Sequence, residues 1–105
     1  MAEAPNILGQ GTVDTTVETV YTVPGSTSAI VTVIVTNNTA GAVTGVTLYA
    51  NGTADTNCLV PGVDLAAGES MRYGPIALGA ADTLSLKSLT GDDVAGYTVE
   101  GIEFS

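Results

Sequence analysis

The chain of 105 residues has no histidine, no tryptophan, a single cysteine (Cys58) and only two basic residues, Arg72 and Lys87. Each absence removes a class of function. Without histidine there is no Ser-His-Asp or Cys-His nucleophile and no two-histidine metal motif. One cysteine excludes an internal disulfide and fits synthesis in a reducing cytoplasm. Eleven acids against two bases give a net charge of −9, which repels nucleic acid and anionic membranes. The expected partners therefore include no nucleic acid and no membrane. No stretch is long enough to span a bilayer as a helix. Glu3 stands where a secretory signal requires positive charge, so no signal peptide is expected.

The residues left for chemistry form no convincing constellation. Cys58 sits beside turn residues without a general base, which reads as a small buried side chain. A Ser-Lys nucleophile needs a buried amine, and strand alternation points Lys87 outward. Glycoside hydrolysis requires a pair of carboxylates, but Tyr21, Tyr49, Tyr73 and Tyr97 are too scattered to build a sugar platform beside one. Asp92, Asp93 and Asp55 lack EF-hand spacing. Asn37-Asn38-Thr39 and Asn51-Gly52-Thr53 match the glycosylation pattern, yet read more simply as turns. The expectation is a protein that is not an enzyme, with no catalytic residue, cofactor or metal.

What the sequence does contain is strand and turn material: 16 threonines, 13 valines and 13 glycines. About seven strands are expected, near residues 16–23, 29–37, 43–50, 58–65, 71–78, 82–89 and 95–104. Pro24-Gly25 suits the centre of a type II turn, and Asn37, Asn38 and Gly41 suggest a hairpin between the second and third strands. Pro61-Gly62 places the fourth strand at a sheet edge. Gly74-Pro75 suggests a bulge, and Leu84 and Leu86 alternate inward against Ser85 and Lys87. A bulge near Gly101 would bring Tyr97, Val99, Ile102 and Phe104 to one core face. Strands at this spacing without helical periodicity indicate an all-β fold, an antiparallel β-sandwich or jelly roll. The division is an N-terminal arm, 1–12, and one sandwich domain, 13–105.

The stretch "AIVTVIVTN", residues 29 to 37, is the most strongly patterned. Val31, Val33 and Val35 share one face, and Ile30, Thr32, Ile34 and Thr36 share the other. Neither face is properly polar, so both are expected to be covered. The second face, together with Ile7 and Leu8 of the arm, is the candidate subunit or partner interface.

The order of these motifs resembles a type of small virion protein of tailed bacteriophages. The likeness rests on "YTVP" at Tyr21 to Pro24, the Val/Ile-rich strand from Ile30 to Asn38 with its N-x-(S/T) turn, and "LAAGE" at Leu65 to Glu69. It continues through "LGAADTL" at Leu78 to Leu84 and a closing "YTVEGIEF", and so covers about 16 to 104. Ala81 departs from it, standing where the second turn would have glycine. The resemblance implies a capsid decoration (cement) protein. Such a protein acts as a homotrimer, binds the major capsid protein on the outer capsid surface, and is assembled into the virion in the host cytoplasm. The alternative it implies is a neck, tail or head-fibre module with a carbohydrate- or receptor-binding role, which would use the loops 51 to 57 and 90 to 95 and an exposed tyrosine.

Overall fold

The alternation of valine and threonine becomes eight strands in the computed structural model, which describes residues 6–13, 15–89 and 95–104. They are β1 (Asn6–Val13), β2 (Glu18–Thr22), β3 (Ser28–Asn37), β4 (Val43–Ala50), β5 (Cys58–Leu65), β6 (Ser70–Leu78), β7 (Thr83–Lys87) and β8 (Ala95–Phe104), with a 3-10 turn at Asp55–Asn57 before β5. They form two antiparallel four-stranded sheets, ordered β1-β8-β3-β6 and β2-β7-β4-β5. The chain alternates between the sheets except at the β4–β5 hairpin. This is the double Greek-key arrangement of a jelly roll, and the expected fold class is the observed one.

The core lies between the sheets. Val31, Val33 and Val35 of β3 and Val99 of β8 meet Val46 and Leu48 of β4 and Leu84 and Leu86 of β7, all fully buried. Each contributes roughly 1.5–3 kcal/mol by leaving water. β5 and β6 are edge strands carrying Pro61 and Pro75, where a missing N–H costs no ladder bond. The expected bulge at Gly74-Pro75 is present as a register shift between Val31 and Val33 in the β3–β6 pairing.

Several expectations need correction. Residues 6–12 of the expected arm belong to β1, which pairs with β8 from Asn6↔Gly101 to Val13↔Ala95. Tyr97 explains part of this pairing, since its ring lies over Gly11, where a Cβ would meet it at 2.8 Å. β3 and β4 are not a hairpin, because they lie in different sheets. β8 has no bulge at Gly101: it pairs with β3 in unbroken register from Ser28↔Phe104 to Asn37↔Ala95. The bulge is on β1 instead, between Ile7 and Gly9. The strand buried on both faces is β4, where Thr47 and Tyr49 are buried opposite Val46 and Leu48. β3 is buried on one face only.

Asn37 explains why no hairpin forms. Its buried side-chain amide donates to the carbonyls of Gly41 (2.7 Å), Leu65 (3.1 Å) and Ala66 (3.2 Å), and its Oδ1 accepts from the N–H (3.0 Å) and hydroxyl (2.6 Å) of Thr39. The end of β3 is thereby tied to the end of β5 and the chain crosses to the other sheet. The same burial leaves Asn37 no nitrogen to offer a glycan.

Two four-residue turns carry the chain out of and back into the second sheet. In the first, Glu69 Oε1 accepts from Ala66 N–H at 2.9 Å and Gly68 has φ 76°. In the second, Asp82 Oδ2 accepts from Gly79 N–H at 2.7 Å and Ala81 has φ 66°. Alanine thus holds the left-handed position that glycine holds in its counterpart, which costs roughly 1 kcal/mol. Ala81→Gly is expected to stabilise the fold by about 0.5–1 kcal/mol, read as a higher denaturant midpoint at unchanged slope. A loss of stability would contradict this account of the turn. The β2–β3 turn is also displaced from expectation: its positive φ, 61°, falls on Ser26 and not on Gly25.

Candidate interaction face

Alternation along β3 sends its three valines inward and Ile30, Thr32, Ile34 and Thr36 to the outer face of the β1-β8-β3-β6 sheet. Antiparallel pairing then sets Ile102 beside Ile30, Glu100 beside Thr32 and Thr98 beside Ile34. The β1 bulge divides the two arm residues. Ile7 pairs with Glu100, while Leu8 packs against the core. Of the six expected interface residues, five therefore stand on or at this outer face, and Leu8 does not.

The result is an apolar patch built from three adjacent strands: Ile7, Ile102 and Ile30. Ile7 is 56% exposed and Ile30 45%. Together with Thr32, Glu100 and Asn6 they line an open groove of about 520 Å³. Arg72 Nη1 donates to Glu100 Oε1 at 3.2 Å, so the one carboxylate of the groove is matched by one of the chain's two bases. Gln10 Nε2 donates to Thr98 Oγ1 at 3.2 Å. In a protein of net charge −9 this is a locally neutral surface.

Ile102, Glu100 and Arg72 were not expected at this site. Plain alternation from Val99 through Gly101 finds the first two; the bulge expected at Gly101 turned Ile102 inward. Arg72 needed the three-dimensional register of β6.

Behind the face, Tyr21 of β2 reaches across the sandwich and donates its hydroxyl to Glu103 Oε2 of β8. Burial first, then this hydrogen bond and the charge of Glu103, raise the Tyr21 phenol far above the usual tyrosine value. The folded state therefore keeps a proton that the unfolded state loses near pH 10. Stability should be flat up to about pH 10 and fall as pH rises further. In Tyr21→Phe the neutral-pH stability should drop, because Glu103 loses its partner, and the alkaline decline should become shallower. Tyr97, raised by burial and then by the charge of Glu18, supplies the remaining slope. Denaturant titration from pH 7 to 11.5 reads both effects, and an unchanged alkaline decline would contradict the assignment.

Among the described residues, no group of three His, Cys, Asp or Glu side chains converges on a metal position. Cys58 is a free, half-buried thiol. A tyrosine platform for carbohydrate is poorly served: Tyr21 and Tyr49 are buried, Tyr97 is half-buried, and only Tyr73 is exposed. Residues 90–94 of the second expected binding loop lie outside the described residues.

No protein-family model matches the chain, and no curated protein matches it. Similar folds occur in a phage capsid and in a bacterial pilus. The first is a chain of the acid-stable capsid of Helicobacter pylori bacteriophage KHP30, with TM-score 0.63 and 8% identity over 99% of this chain and 90% of that one. The second is a chain from the endospore appendages of Bacillus, which are disulfide-linked pili, with TM-score 0.57 and 16% identity over 99% of this chain and 87% of that one. At these identities the likeness establishes a shared fold.

Proposed function

We propose that the protein is a structural subunit of a bacteriophage particle, a decoration protein that sits on the outer capsid surface between major-capsid subunits and acts as a homotrimer. The observation that carries this reading is the neutral apolar face around Ile7, Ile30 and Ile102, left open on a jelly roll similar to a phage capsid chain. The role is structural and not catalytic. A subunit that binds only the assembled shell stabilises that state by mass action, and for this it needs buried area and no reactive group. The net charge of −9 suits the exterior, away from packaged DNA.

Immunogold electron microscopy of particles made by the encoding phage tests the location. Labelling over the outer surface of intact shells is expected, and shells without label would contradict the reading. A second reading, a subunit of a surface filament, is favoured by the pilus likeness. In that case the label would run along filaments.

A further inference from the structure

We propose that the groove around Ile30 receives Leu89 of a second copy of this chain. Leu89 is the most exposed large apolar side chain among the described residues, at 68%. It is held in place from behind: its N–H donates to the Thr44 carbonyl at 2.9 Å, and its side chain lies over Gly45, where a Cβ would meet Leu89 Cγ at 2.4 Å. A leucine that is fixed in position and yet mostly open to water is a knob without a hole among the described residues.

Charge selects the partner. Lys87, two residues before the knob, is half-exposed and makes no ion pair among the described residues. Of the chain's two bases, it is the one without an ion pair among the described residues, and it stands beside the exposed leucine. The groove supplies the counterpart. Glu100 stands two residues from Ile102 on the same strand face, and its carboxylate, already bonded to Arg72, has capacity for a second donor. Both surfaces thus place an apolar side chain and a charge two residues apart, with opposite signs.

The geometry makes the contact heterologous. Asn37, at one end of β3, is tied to Gly41 and Leu65, and Leu65 pairs with Val43 next to the residue that holds Leu89. Ile30 lies at the other end of β3, seven residues away, about 23 Å along the strand. Knob and groove therefore occupy opposite ends of the molecule and belong to different sheets, so one contact joins unlike surfaces and leaves a groove on one copy and a knob on the other open to further copies. Repetition of such a contact closes into a ring or runs on as a filament, and three copies make the ring implied by the decoration reading. This inference names the self-contact within that reading.

The test is native mass by sedimentation velocity on the wild type, on Leu89→Glu and Ile30→Glu separately, and on their equimolar mixture, with circular dichroism to confirm that each variant folds. The wild type is expected to be trimeric. Each variant should weaken self-association by roughly 30-fold or more. The mixture should form pairs and nothing larger, because only one intact knob and one intact groove can meet. A monomeric wild type, a variant that keeps the wild-type mass, or a mixture that stays monomeric would each overturn the proposal. Labelling of particles reads location independently, so unlabelled shells alongside the predicted masses would remove the capsid reading and leave the contact standing.

Discussion

Asn37→Ala is expected to destabilise the protein by about 4 kcal/mol, because burial strips its partners of any alternative. The carbonyls of Gly41, Leu65 and Ala66 lose a donor, and the N–H and hydroxyl of Thr39 lose an acceptor. A buried polar group left unpaired costs roughly 1–3 kcal/mol, and some of these five will recover water. For a domain of this size the loss corresponds to a fall in melting temperature of about 20 °C. Asn37→Asp should be at least as damaging at neutral pH, since it turns a carboxylate toward three carbonyls. The native state then favours the protonated acid, so that variant should regain stability as pH falls through the raised value. Chemical denaturation of both variants measures this; a loss below about 1 kcal/mol in Asn37→Ala would show that the crossover is held elsewhere.

Gly101→Ala is the second large effect. The added Cβ would lie 2.1 Å from the Ile30 carbonyl oxygen and 2.8 Å from Val31 Cα. Both obstacles are backbone of the neighbouring central strand, so no rotamer change relieves them. β8 must move away from β3, breaking the register that places Ile102 beside Ile30. We expect a loss of about 3 kcal/mol or more, with self-association impaired as well because the groove is deformed. Gly25→Ala and Gly41→Ala serve as controls: a Cβ there meets nothing within 4 Å, and both should stay within about 0.5 kcal/mol of the wild type. Equal tolerance at all three positions would contradict the close approach of β8 to β3.

The fold class was legible because strand alternation and turn chemistry are local. Leu84, Leu86 and the three valines of β3 point inward as their parity requires, and Pro61 marks an edge strand as its missing donor requires. Three features were not legible, each because it depends on partners distant in sequence. β1 reads as a loose arm, since Gly9 and Gly11 weaken its pattern; what makes it a strand is β8, including the ring of Tyr97 over Gly11. The crossover after β3 looks like a hairpin turn until Asn37 is seen bonded to Leu65 and Ala66, 28 and 29 residues away. The register at Gly101 carries no local signal, because a glycine allows a bulge without requiring one. The outer face was therefore largely readable: its β3 residues followed from alternation, as Glu100 and Ile102 do once no bulge is placed at Gly101, while Arg72 depended on pairing.

In the proposed role the open face of the β1-β8-β3-β6 sheet is an assembly surface. Native mass by light scattering, repeated across a wide concentration range on the unmodified protein, addresses that claim most directly. A mass of three chains that does not change on dilution through the micromolar range is expected. A single-chain mass at every concentration would contradict it, leaving the jelly roll intact and its exposed isoleucines without a partner of their own kind.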